Sequence, residues 1–380
     1  MIPYGRQDIS QADIDAVIDV LRSAFLPQGP AVPRVADAVR DVAGAAHAVA
    51  VNSATSALHI GCLALGVGPG DLVWTAPNTF AASANCARYC GADVDFVDTD
   101  PADWNMSLPA LEAKLASAER LPKVVIPIAF AGRPPHLKEL RALADRYGFA
   151  ILEDASHGIG GTYEDLPIGC GKYADISVFS FHPVKIVTTA EGGMALTNDD
   201  HLAERLRLFR SHGITRDAAL FEGEADGPWY YQQLDLGLNY RLTDVQAALG
   251  VSQMARLTEI TDRRHQIAAR YDDLFDGIAV LCPAPDAPRS RSGMHLYPIC
   301  VDAARREEIF KTLRAGGIGV NVHYIPVHLH PYYRRLGFGP GDFPHAEAYY
   351  AGAISLPMYP GLTEAQQYTV VAAVRDAIAG

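Results

Sequence analysis

The stretch "HAVAVNSATSALHIGCLALG", residues 47–66, decides the fold. Its opening "HAVAV" is short and β-branched, as a strand buried on both faces would be. "ATSALHIGCLALG" then spaces its apolar residues three and four apart and ends in Gly, which predicts a helix. A strand running directly into a helix is the first half of a β-α-β unit, and the pattern recurs. "DLVWTAP" (71–77), "ADVDFVD" (92–98), "KVVIPIAF" (123–130) and "FAILEDAS" (149–156) read as strands. "TFAASANCARYCG" (79–91) and "LKELRALADRYG" (137–148) read as helices between them. The expectation is an α/β protein with a mostly parallel central sheet and helices on both faces. In such sheets ligands sit beyond the carboxyl ends of the strands, so the residues that follow each strand are the ones to inspect.

The pattern changes near residue 241. "RLTDVQAALGVSQMARLTEITDRRHQIAARYDDLF" (241–275) reads as one long helix. Beyond the proline-rich "CPAPDAP", two strand-like runs, "MHLYPICVD" and "IGVNVHYI", flank the helix "ARREEIFKTLRAGG", and "TEAQQYTVVAAVRDAIA" is a final helix. The division expected is a large domain over 1–250 and a smaller C-terminal α/β domain over 251–380, since single cores stop growing at roughly 250–300 residues.

The net charge of −12 argues against nucleic acid as a partner, because phosphate binding needs a basic footprint. No apolar run is long enough to cross a membrane, and "MIPYGRQDIS" has no cationic and then apolar leader, so a cytoplasmic location is expected. The six cysteines form no CxxC pair, which suggests neither a disulfide framework nor a zinc site; Cys86 and Cys90 read as buried free thiols.

Four strand ends collect polar groups. After the first strand come Asn52, Ser53, Thr55 and Ser56 at a helix start, where backbone N–H groups and hydroxyls can cradle a phosphate or serve as a plain N-cap. "TAPNTFAAS" places Phe80 where it could stack on a planar ligand or join the core. "AILEDASHG" ends an apolar strand in Glu153 and Asp154, which face opposite sides, followed by His157. "SVFSFHPVKIVTTAEGGMAL" (177–196) puts Lys185 after a buried-looking strand, with Ser180 before it and Thr188, Thr189, Gly192 and Gly193 after. A desolvated lysine is a nucleophile suited to Schiff-base chemistry. A phosphate cradle, a stacking aromatic, a carboxylate for a ring nitrogen and such a lysine, in that order, describe a site for pyridoxal 5'-phosphate.

"NSATSALH", "PNTFAASAN", "EDASHGIGG", "FSFHPVK" with "TTAEGG", and "NYRLTDVQAALG" resemble the DegT/DnrJ/EryC1/StrS sugar aminotransferases, which have the type I fold of the pyridoxal-phosphate-dependent transferases. The likeness runs almost end to end and is nearest to the UDP-sugar 4-aminotransferases of pseudaminic acid biosynthesis. It implies that Lys185 holds the cofactor's aldehyde, Asp154 partners its ring nitrogen and Phe80 stacks on the ring. It implies that Thr55, Ser56 and Ser180 contact the phosphate and that Asn239 reaches it from the other subunit of a homodimer. His157 would lie near the ring, and Tyr4, His323, Tyr324 and His328 near the sugar. The implied reaction moves an amino group from L-glutamate to the C4 keto group of a UDP-linked 4-keto-6-deoxy-N-acetyl sugar.

Rival readings remain at this level. Amination of another 4-keto or 3-keto nucleotide sugar is one. A dehydratase branch of the same family has histidine where Lys185 stands, and a non-catalytic regulator would keep the lysine. A metal enzyme could use His323, His328 and His330 of "VHYIPVHLHPYY", although Pro326 and Pro331 favour an irregular loop without a nearby glutamate. "GVGPGD" and "HGIGG" lack the order or spacing of a dinucleotide fingerprint and read as turns.

Overall fold

Seven strands build the central sheet: β1 (His47–Val51), β2 (Leu72–Thr75), β3 (Asp93–Phe96), β4 (Val124–Ile126), β5 (Ala150–Asp154), β6 (Ile176–Ser180) and β7 (Gly193–Thr197). The computed structural model describes residues 1–379. The spatial order is β1-β7-β6-β5-β4-β2-β3. From β6 to β3 every neighbouring pair is parallel. β7 runs antiparallel to both β6 and β1. The exception follows from the connection: residues 181–192 form a turn with no crossover helix, and a parallel return needs a dozen or more residues and usually a helix.

Alternation along the strands divides the core between the two faces of the sheet. Val49, Val51, Val178 and Ala195 join the cluster that holds Leu58 and Ile60 of the helix Ala54–Ala64. Ala50, Phe179, Met194 and Leu196 face the other way, against the helices Ala31–Ala43 and Asp244–Ala255. A third cluster lies apart, built from Ile267, Tyr271 and Phe275 with β8 (Tyr297–Cys300), the helix Arg306–Ala315, β9 (Ala353–Leu356) and the helix Glu364–Ala379. Residues Val327, Tyr333, Phe343 and Tyr349 return to pack on the first cluster.

Two local expectations differ from the structure. The long helix of 241–275 is two helices, Asp244–Ala255 and Leu257–Phe275. They part at Arg256, whose φ of −107° and ψ of 9° leave the helical range. There its guanidinium reaches Asp8 at 2.8 Å and the fully buried Asp13 at 2.9 Å, tying the N-terminal segment to the break. "IGVNVHYI" is not a regular strand. It makes single bridges from Ile318 to Ile2 and from Asn321 to Ser355, and β8 pairs antiparallel with β9 instead.

Arg256→Ala leaves Asp13 buried without its cation. A loss of about 3 kcal/mol is expected, the low end for removing one partner of a buried pair, because the Ser10 N–H and the Gln253 amide still donate to the Asp13 carboxylate. Urea unfolding of the wild type and the variant reads it as a shift in midpoint.

Candidate active site

A cavity of about 770 Å³ opens at the carboxyl ends of β1, β2, β5 and β6. Tyr4, Thr55, Ser56, Phe80, Asp154, His157, Ser180, Lys185, His323 and Tyr324, far apart in sequence, all line it.

The wall at β1 is a helix N-terminus. Ser53, in extended conformation, caps the helix Ala54–Ala64 by accepting from the Ser56 N–H at 3.1 Å. Its hydroxyl lies 2.9 Å from that of Ser56, which donates to Asn52 Oδ1 at 2.6 Å. The first backbone N–H groups of a helix have no acceptor within it, so this end is open to an anion. Gly193 packs against the same turn: a Cβ there would meet Ala54 N and Ser53 C at 2.6 Å. Only a residue without a side chain lets β7 abut the cradle.

Asp154 ends β5 and is 5% exposed. The Ser83 hydroxyl donates to its Oδ2 at 2.6 Å and the Ser156 N–H to its Oδ1 at 3.1 Å, which fixes the carboxylate in the cavity wall. The neighbouring Glu153 points through the opposite face and accepts from Ser177 at 2.6 Å; burial pushes its carboxyl up to about 7. Strand alternation alone separates the two acids.

Lys185 is half-buried and lines the cavity. Burial lowers its amine from the ordinary 10.5 to about 8, against the opposing pull of the Asp154 charge. Around it stand His157, His295 and His323. Burial holds all three below the ordinary histidine value, and the Lys185 charge adds to the effect in each. His323 falls to about 4, with its Nδ1 2.8 Å from Ser355 Oγ. The rings of His157 and His295 sit 4.4 Å apart, and Tyr324 Oη lies 3.2 Å from His157 Nε2. Phe80 is 62% exposed at the rim, its ring 6.2 Å from that of Tyr324.

Of the residues expected at a site, His328 and Asn239 do not line this cavity, and Asn239 is expected at the partner's. His328 does not reach the cavity: the turn Val327–Leu329 carries it into the core, fully buried, with its Nε2 2.9 Å from Glu347 Oε1 and its ring 4.8 Å from that of Phe343. Asn239 is exposed and accepts from Arg241 Nε at 2.9 Å. Among the described residues no group of three His, Cys, Asp or Glu is placed to hold a metal, so His323, His328 and His330 do not converge. Ser83, His295 and Asn321 join the site beyond the residues expected there. Ser83 carried a signal, standing three residues past Phe80 at the start of a helix; His295 and Asn321 stand in runs that read as strand-like, and the structure leaves both in irregular chain.

The donor set fits pyridoxal phosphate: a desolvated amine, a fixed carboxylate and an open helix N-terminus surround one cavity. Residues 7–375 match the DegT/DnrJ/EryC1/StrS aminotransferase family. The chain belongs to this family. It is 36% identical over 362 residues to the UDP-4-amino-4,6-dideoxy-N-acetyl-beta-L-altrosamine transaminase of Campylobacter jejuni, covering 94% of this chain and 93% of that one. Its fold superposes on Helicobacter pylori PseC, an aminotransferase involved in the biosynthesis of pseudoaminic acid, with a TM-score of 0.91 at 30% identity, covering 100% and 99% of the two chains. The pyridoxal-phosphate form of the putative sugar aminotransferase Spr1654 from Streptococcus pneumoniae gives 0.90 at 30% identity, covering 100% and 98%. The chain is thus a sugar aminotransferase of fold type I, with pyridoxal phosphate as its cofactor. No helix among the described residues is long and apolar enough to cross a membrane.

With the cofactor removed, the Lys185 amine loses its proton as pH rises through about 8, not 10.5. Its acylation rate should therefore climb through about pH 8 and level off above it. Peptide mapping of Lys185 across a pH series measures this; a rate still climbing at pH 10 contradicts it.

Proposed function

We propose that the protein transfers an amino group from L-glutamate to the C4 keto group of a UDP-linked 4-keto-6-deoxy-N-acetyl sugar. The observation that carries this reading is the Lys185 amine, lowered to about 8 and facing Asp154 across the cavity. When bound, pyridoxal phosphate supplies an electron sink for the pair released at the donor's amino-bearing carbon. Ser53, Thr55, Ser56 and Ser180 would hold its phosphate, and Phe80 would offer an apolar face to its ring. Asp154, held by Ser83, would keep the ring nitrogen protonated. Lys185 takes the proton from the donor's Cα and, in the second half-reaction, delivers one to C4 of the sugar. His157 is neutral at pH 7 and so adds no charge that would raise the cost of a transient ammonium at Lys185. Tyr4, His323 and Tyr324 lie at the same cavity with groups suited to sugar hydroxyls or a diphosphate. The C4 position and the UDP group are supported by the likeness to the Campylobacter jejuni transaminase, and the pseudaminic acid pathway by the likeness to Helicobacter pylori PseC.

The working unit proposed is a homodimer with shared sites, each chain divided near residue 250. The segment that carries Asn239 exposes Trp229 at 68% and Leu236 at 80%, apolar area suited to a second copy.

Lys185→Ala should keep its circular dichroism spectrum and lose at least about 10³-fold in turnover. With the wild type, glutamate and a panel of 4-keto and 3-keto UDP- and dTDP-sugars, mass spectrometry should find amino sugar from the 4-keto UDP substrate; turnover of only a 3-keto or dTDP sugar rejects the assignment. Mixing and re-annealing inactive Lys185→Ala with inactive Asn239→Ala should restore part of the activity. One site of each mixed dimer then regains an intact lysine from one chain and an intact Asn239 from the other. No recovery means that Asn239 does not serve the partner's site.

A further inference from the structure

A second cavity, of about 320 Å³, lies along the free edge of β1, the outermost strand of the sheet. Residues of the helices Ala31–Ala43 and Asp200–Arg210 complete its walls. Its volume falls at the small end of the roughly 300–1,000 Å³ of small-molecule sites. Ala48 and Ala50 line it, whereas Asn52 and Ser53, directly past the end of the same strand, line the catalytic cavity. Val32, Pro33 and Ala36 make one wall apolar, and the helix Asp200–Arg210 makes another cationic.

The arginines that line this cavity are not equivalent. Arg40 is matched by carboxylates, donating to Asp37 at 2.7 Å and to Asp41 at 2.8 Å. Arg207 and Arg210 have no carboxylate partner among the described residues. Arg207, which can only donate, meets His47 Nδ1 at 3.4 Å, and the other ring nitrogen of His47 is left to donate to Asp200 at 2.6 Å. Arg210 Nη1 donates to the Ala50 carbonyl at 3.3 Å, its Nε is buried without a partner, and no acceptor among the described residues meets its Nη2. Such unmatched donors on a charged group are costly. Burial lowers the Arg210 guanidinium below its ordinary value, and the charges of Arg207 and Arg241 add to the effect. Arg207 and Arg210 stand three residues apart on one helix, so both are presented to the same cavity.

We propose that this cavity binds the phosphate group of a small organic phosphate through Arg207 and Arg210. Two guanidiniums without counter-ions match a phosphate monoester, which carries a charge of about −1.5 to −2 at pH 7. A single carboxylate would leave one of them unmatched. Guanidinium forks also pair two-to-two with phosphate oxygens, which a lone ammonium does not. The apolar residues of the helix Ala31–Ala43 would face the organic part of the ligand.

The test uses the holoenzyme, so that the cofactor keeps the probe from the helix N-terminus at Ser53, with inorganic phosphate as the probe at constant ionic strength. Phenylglyoxal labelling and peptide mapping should show Arg207 and Arg210 protected several-fold by phosphate and far less by acetate. Arg207 is exposed, so Arg207→Gln should keep its circular dichroism spectrum. In that variant the phosphate concentration that half-protects Arg210 should rise at least about tenfold, as for the loss of one charge-assisted hydrogen bond. Arg205→Gln makes the same change of charge on the same helix, but Arg205 turns to the carbonyls of Leu63 and Ala64, so half-protection should not move. An equal rise in Arg205→Gln would assign the effect to net charge and overturn the proposal. Equal protection by acetate, or no protection of Arg207 and Arg210 by phosphate, overturns it as well.

Discussion

Keeping the Lys185 amine out of water is the constraint around which the cavity is arranged. A desolvated ammonium is unstable, and the group answers by giving up its proton more readily. The protein favours that answer by lining the site with imidazoles that are themselves held neutral. His157 and His295 lie far enough below their ordinary values to add no positive charge at pH 7, and His323 falls to about 4. Asp154 pulls in the other direction, and its carboxylate is anchored by Ser83 and a backbone N–H. The balance leaves an amine poised near 8, within reach of both protonation states at neutral pH.

This arrangement needs support that the site residues do not supply themselves. Arg264 is buried without a carboxylate partner and donates instead to the carbonyls of Met294, His295 and Met358 at 3.2–3.4 Å. It thereby pins the irregular chain that carries His295. Ser355 on β9 holds His323 in the same way. The cluster of Ile267, Tyr271 and their neighbours thus reaches the cavity through its loops, while the sheet supplies the anchored lysine and carboxylate.

The antiparallel strand β7 makes the cradle possible. Because residues 181–192 return without a helix, Gly193 enters the sheet beside β1, at the level of the Ser53 cap. The same turn carries Lys185. One change of strand direction therefore brings the lysine and the phosphate cradle to neighbouring positions, although Thr55 and Lys185 are far apart in sequence.

The sequence by itself determined the β-α-β order, the strand ends and the residue types on them, because buried strands read as unbroken apolar runs and the residues after them stand out. Asn52 to Ser56, Asp154, Ser180 and Lys185 were legible for that reason, as was the opposite facing of Glu153 and Asp154. Tertiary structure alone decided what arrives from irregular chain. His295 and Asn321 stand in runs that read as strand-like but that the chain leaves irregular at those positions, and His328 turns into the core toward a glutamate 19 residues further on. The break at Arg256 was equally hidden, because the acids that Arg256 meets there stand more than 240 residues away. Local pattern encodes which face a residue takes within its own element, whereas the partners met across the molecule depend on packing that no short window contains.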